Sequence, residues 1–153
     1  MRLITSCCGT AIERVSAFTE FYLKSLAQNL PSFLKDTTDL INKINKLNKG
    51  SLPSGTLLVS YDVVAMFPNI ENNLGITAAR EALDSRDNLF RSTNCILEAV
   101  QICLESNSEF GGKHYIQCHR TAMGPKNACS YADIAMGKID ELACRGGDIR
   151  PNL

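Results

Sequence analysis

The sequence predicts an α+β chain in which several helices pack on a small, incomplete antiparallel sheet. Three observations carry this. Apolar residues recur at three or four positions over most of the chain, which is helical spacing. One run, TLLVSYDV at 56–63, is short, mostly apolar, rich in β-formers and bounded by turn residues. One further stretch, 109–117, sets Gly-Gly between Phe110 and the pair Tyr115–Ile116, a hairpin pattern.

Each element has its own justification. A first helix is expected over 11–30, with Ile12, Val15, Phe18, Tyr22, Leu26 and Leu30 on one face. Thr10 can cap its start, with Glu13 three residues on completing a capping box, and Pro31 closes it. A second helix fits 36–48, with Leu40, Ile41, Ile44 and Leu47 on one face and the lysines of NKINKLNKG on the other. Gly50 is a suitable stop. SLPSG is a loop, and the strand follows it. Helices are then expected over 71–83 (Leu74, Ala78, Ala82 and Leu83 inward) and 90–105 (Ile96, Leu97, Val100 and Leu104 inward). The last helix covers 126–143, with Ala128, Tyr131, Ala135, Ile139 and Leu142 on one side. The tail RGGDIRPNL has no periodicity. A single buried strand needs hydrogen-bonding neighbours on both sides. Either the hairpin partly supplies them or a strand is missing from this chain.

Composition narrows the class. A chain of 153 residues suffices for one domain with a single core. Sixteen basic and sixteen acidic residues cancel, which counts against a self-sufficient nucleic-acid binder, because phosphate contacts need Lys and Arg in excess. No apolar run approaches the roughly 20 residues that span a bilayer, so no membrane partner is expected. The start has no long apolar segment, so the protein is expected not to be secreted. The seven cysteines form no CxxC pair and no zinc-finger spacing. They read as reduced, mostly buried thiols of an intracellular protein, nuclear or cytoplasmic.

Two stretches carry candidate chemistry. Asp62 stands at the exit of the apolar strand. Such a residue either caps the following turn or faces a cleft as a metal-binding carboxylate, as Mg²⁺ sites require. Two-metal catalysis needs more than one bridging carboxylate. The second stretch, TAMGPKNACSYADIAMG at 121–137, places Gly124 just before a helix. There a glycine lets backbone N–H groups approach a phosphate, although Gly-Pro is also an ordinary helix start.

Taken together, in this order and about 60 residues apart, these stretches resemble the reverse transcriptase domain of Penelope-like retroelements. LVSYDVVAMFPNI resembles that family's first palm motif, an Asp followed after four residues by an aromatic. RTAMGPKNACSYADIAMG resembles the second. RLITSCCGTAIERVSAFTEFYLKSLAQNLPSFLKDTTDLINKI resembles the segment joining fingers to palm. The resemblance runs from Arg2 to about Asp140 and implies a partial reverse-transcriptase palm with some finger segment. It divides the chain into finger-to-palm helices (1–50), a palm portion with both motifs (51–145) and a frayed tail (146–153).

The resemblance also implies roles. Asp62 falls on the first catalytic, metal-binding carboxylate, and Val63 would offer a main-chain carbonyl to the second metal. Phe67 falls on the steric gate against the sugar C2′, a position where a clash discriminates against one extra hydroxyl; it could equally be a core aromatic. Gly124 falls on the glycine that lets backbone pass close to primer-template and nucleotide. Met123 falls where many reverse transcriptases have glutamine, and also suits a gap-filler. Lys126 and Asn127 would border the template strand, and Arg2 would lie near the nucleotide phosphates. The implied partners are an RNA template, a DNA primer and dNTPs; the implied cofactor is Mg²⁺ or Mn²⁺, not bound tightly by this chain.

Two departures bear on activity. Arg120 stands where the family pattern has glycine, which would strain the loop if that position needs φ > 0. The third palm motif, an aromatic, one residue and two aspartates, is absent: the sequence has no Asp-Asp pair. The expectation is therefore a truncated RNA-directed DNA polymerase of a retrotransposon, a two-metal nucleotidyltransferase by family and inert as this chain. The alternative is a non-catalytic remnant that binds nucleic acid or protein.

Overall fold

The computed structural model describes residues 6–48, 55–57, 59–60, 62–87, 90–105, 107–117 and 120–145. Six helices and one hairpin occupy them: α1 (Ala11–Gln28), α2 (Thr37–Asn48), α3 (Met66–Asn69), α4 (Asn72–Asp84), α5 (Thr93–Leu104), β1 (Asn107–Phe110), β2 (Lys113–Ile116) and α6 (Ala128–Arg145). The five long helices fall where the apolar periodicity puts them, to within about three residues. Arg2, Gly50 and the tail 146–153 lie outside the described residues.

Helices α1, α4, α5 and α6 pack on one another around the core, and the chain is mostly helical. The core gathers Leu23 and Ala27 of α1, Ala78, Ala79 and Leu83 of α4, Ile96, Leu97 and Val100 of α5, and Tyr131, Ala132 and Ala135 of α6. Helix directions follow from named pairs. Glu13 meets Lys126 just before α6, while Leu30, just past α1, lies against Gly137 late in α6. Gly75 meets Tyr131 and Glu81 meets Lys138. So α1 and α4 run parallel to α6. Helix α5 runs the other way, because Thr93 at its start bonds Asp84 at the end of α4 at 2.7 Å.

The α5 stripe is buried as expected. The α1 stripe is not the expected one. Its buried centre is Ser16, Thr19, Leu23 and Ala27, with Phe18, Tyr22 and Leu26 only partly covered. The helix is wedged between α5 and α6, so small residues mark the closest approach. The hydroxyls of Ser16 and Thr19 stay satisfied by donating to the carbonyls of Glu13 (3.0 Å) and Ser16 (3.1 Å). On α4, Gly75 and Ala79 are buried while Leu74 and Ala82 are half-buried. On α6, Ile139 and Leu142 are exposed, because α6 outruns its neighbours there.

The capping at α1 also differs. The Thr10 hydroxyl donates to the Cys7 carbonyl at 2.7 Å and does not cap, while the Glu13 carboxylate accepts from the Gly9 N–H at 2.7 Å. A reciprocal cap instead starts α2: Asp36 accepts from the Asp39 N–H at 2.8 Å, and Asp39 accepts from the Lys35 N–H at 3.3 Å. The apolar face of α2 is left partly open, with Ile41 exposed.

The hairpin is antiparallel, with Phe110 opposite Lys113 and Asn107 opposite Ile116. Gly111 and Gly112 turn it with φ of 60° and 71°, the pair of positive values a two-residue turn of this kind needs. The expected strand at 56–63 is a correction. Its described residues lie in no strand, and Leu57, Val59, Val63 and Val64 are exposed. A strand requires a partner for its N–H and C=O groups, and here the hairpin pairs only with itself. Among the described residues the helices therefore pack on each other, and the sheet is the hairpin alone.

The cysteines give a second correction. Of those described, Cys103 is buried, Cys7 and Cys144 are half-buried, and Cys8, Cys95 and Cys129 are exposed. The exposed ones fall on outward helix positions or in the short turn before α1, where nothing packs over them.

Candidate functional site

Two loops meet at one end of the bundle. The first runs from Asp62 to Ile70. Asp62 and Val63 are exposed, and the Asp62 carboxylate makes no hydrogen bond among the described residues. Ala65 adopts the left-handed conformation (φ 51°) and starts the single turn α3. Pro68 does not end the run, as its sequence position suggests; it sits inside that first turn, where a missing N–H costs nothing. The Asn69 amide donates back to the Val64 carbonyl at 3.0 Å and closes the loop. Met66 and Phe67 lean on the core, each half-buried. Phe67 thus has one side against protein and one toward solvent.

The second loop, 120–127, leads into α6. Arg120 has φ of 74°. That is the strained value the glycine-to-arginine departure raised as a possibility, and a non-glycine residue there costs roughly 1–2 kcal/mol. Its guanidinium offsets this by reaching the first loop: it donates to the Pro68 carbonyl and, at 3.0 Å, to the Asn69 side-chain oxygen. Its own carbonyl accepts from the Gln117 amide at 3.0 Å. The two stretches singled out in the sequence are therefore clasped together by one side chain.

Farther along, Thr121 and Ala122 are buried, Met123 is half-buried, and Gly124 is exposed with φ of 147°. Only glycine takes that φ without strain. Pro125 is buried, and its carbonyl accepts the Ala128 N–H at 3.1 Å to open α6. Lys126 is exposed and pairs with Glu13 at 3.5 Å. The Gly9 N–H and this lysine hold the Glu13 carboxyl below its ordinary range. Asn127 is buried beside Cys103, so its side chain faces the core rather than a ligand surface. Burial pushes the Cys103 thiol up to about 11, with hydrogen bonds from the Thr19 and Asn127 side chains working against it. The Thr121 hydroxyl is buried nearby without a partner among the described residues.

The structure thus brings together the Asp62–Phe67 loop and the Arg120–Lys126 loop, and sets Asn127 apart from the surface. Two-metal chemistry does not fit the residues described. Asp62 is one exposed carboxylate, and no group of three His, Cys, Asp or Glu side chains converges to hold a metal among the described residues. No step through a metal follows from this arrangement.

Sequence reasoning missed the Arg120 clasp, since hydrogen bonds spanning some 50 residues leave no local pattern. It also missed a groove of about 960 Å³ at the opposite end, between the ends of α1 and α4 and the late turns of α6. Leu26, Leu30 and Ala78 line it, with Glu81, Arg86 and Lys138 among its charged residues. The only signal for it is the run of small residues, Ala78 and Gly137, that keeps the helices thin there.

No protein-family model, curated protein or solved structure matches the chain. No helix among the described residues is long and apolar enough to cross a membrane.

Proposed function

We propose that this chain is a palm segment of a reverse transcriptase of the Penelope-like kind, RNA-directed DNA polymerase by descent, which cannot carry out nucleotidyl transfer on its own. The observation that supports the reading is the ordered pair of motifs, LVSYDVVAMFPNI and RTAMGPKNACSYADIAMG, together with their meeting at Arg120, Pro68 and Asn69. In this reading Asp62 is the surviving metal carboxylate, Phe67 the sugar gate and Gly124 the point of close backbone approach, with Val63, Met123, Lys126, Asn127 and Arg2 in the supporting roles the family pattern assigns. The catalytic carboxylates that Asp62 would need as partners are absent, because the chain contains no Asp-Asp pair.

Two measurements test this. Primer extension on poly(A)–oligo(dT) with Mg²⁺ or Mn²⁺ is expected to give no product with this chain. Robust incorporation would refute its inertness. The transcript that encodes the chain is expected to carry, in frame and downstream, an aromatic or Arg, one residue and two aspartates. Extended coding sequence without such a motif would sink the polymerase descent. The exposure of Leu57, Val59 and Val64 favours a second reading, a remnant that binds a protein partner through this apolar stretch.

A further inference from the structure

At the end of the bundle away from the Asp62 loop, aromatic rings and arginines alternate on the surface. Phe21 of α1 is 76% exposed, and its ring meets Tyr22 edge-on at 5.2 Å and 89°. Arg86, just past α4, lays its guanidinium over the Tyr22 ring, 5.6 Å from the centroid. The same guanidinium donates to the Arg91 carbonyl. Arg91 in turn sits 5.3 Å over the ring of Phe90, which is also 76% exposed. The connection between α4 and α5 is thereby tied to the middle of α1, and the result is one patch of three rings and two planar cations.

Charge points to the occupant. Neither arginine belongs to any of the ion pairs among the described residues. Of the nearby acids, Asp84 accepts from the Thr93 hydroxyl, and Asp87 is exposed. Two permanently charged guanidinium groups therefore stand uncompensated among rings. Rings stack on bases and arginines pair with phosphates, a combination that suits a strand with unpaired bases. A duplex hides its base faces and would engage only the charges.

We infer that Phe21, Tyr22, Phe90, Arg86 and Arg91 form a docking surface for single-stranded nucleic acid. This surface goes beyond the proposed polymerase descent, since it shares no residue with the Asp62 and Arg120 loops. The zero net charge of the chain keeps the interaction local and salt-sensitive.

The test is fluorescence anisotropy of the full chain with labelled dT20, U20 and a duplex of equal length, from 50 to 300 mM salt. Saturable binding of a single strand, weaker for the duplex and falling with salt, is expected. The tighter of dT20 and U20 identifies the natural strand. Phe21→Ala and Phe90→Ala should each weaken binding roughly fivefold or more. Arg91→Ala should lower the slope of log affinity against log salt by about 1. Lys46→Ala removes a positive charge from distant α2 and should leave binding unchanged. Both phenylalanines are largely exposed, so the variants should fold, which thermal melts would verify. No saturable binding at 50 mM salt, equal binding of the duplex, or full binding by the Phe21→Ala/Phe90→Ala double variant would each overturn the inference. So would a loss on Lys46→Ala equal to that on Arg91→Ala.

Discussion

Arg120 holds the side-chain oxygen of Asn69 at 3.0 Å across 51 positions of sequence, while its own backbone stands at φ 74°. A strained residue is retained where its side chain makes a link that the local backbone preference opposes.

The two effects can be separated by substitution. Arg120→Gly loses the clasp but relieves the backbone; Arg120→Ala loses the clasp and keeps the strain. Alanine is therefore expected to be the less stable by about 1 kcal/mol. Urea unfolding midpoints of the two variants check this. Equal midpoints would mean that φ at this position is not constrained.

Gly75 offers the opposite case, a position where space rather than φ demands glycine. A Cβ there would overlap the Tyr131 hydroxyl and ring carbon. Gly75→Ala should destabilise by roughly 1–3 kcal/mol despite its better helix propensity. Tyr131→Phe, which loses only the long 3.4 Å hydrogen bond to the Asn72 carbonyl, should cost less than about 1 kcal/mol. Thermal denaturation of both variants distinguishes packing from hydrogen bonding.

The Glu13 carboxyl is held low by the Gly9 N–H first and by Lys126 second. A carboxyl lowered in the folded state contributes stability above its ordinary value of 4.5 and loses it as pH falls through the folded value. Stability should thus decline on acidification below that value, and Glu13→Gln should flatten this part of the profile. Denaturant midpoints across the acid range provide the readout.

Cysteine reactivity should follow burial. Cys8, Cys95 and Cys129 are exposed and should alkylate readily at neutral pH. Cys103, buried and raised from 9.0 to about 11, carries on the order of a hundredfold less thiolate, so it should label only on unfolding. Its raised value also makes stability fall as pH rises from the unfolded value toward 11. Peptide mapping after iodoacetamide treatment, with and without denaturant, tests the order.

Asp62→Asn should leave stability within about 0.5 kcal/mol, because the carboxylate is exposed and makes no hydrogen bond among the described residues. A larger loss in a thermal melt would point to a structural cap rather than a site residue.

Much of the helical architecture was legible because helices satisfy their own hydrogen bonds. The spacing of Ile96, Leu97, Val100 and Leu104 is enough to name the buried face of α5. The α1 face was misread for a related reason. Periodicity favours the large side chains Phe18 and Tyr22, whereas the closest packing falls on Ser16, Thr19 and Ala27, which hydrophobicity scores overlook. At the candidate site, Asp62, Phe67 and Gly124 were visible as residue types in order. The burial of Asn127 and the pairing of Lys126 with Glu13 were not, since both depend on where α1 and α5 come to rest.

The sequence by itself determined what is local: five helices, a Gly-Gly hairpin, and two motif stretches in the order of a polymerase palm. Tertiary structure decided the rest. TLLVSYDV has the composition of a strand, yet a strand forms only when another supplies the far half of its hydrogen bonds, and none does among the described residues. The joining of the two motif loops belongs to the same category: one arginine, placed by the packing of α4 against α6, closes a contact that no window of sequence contains.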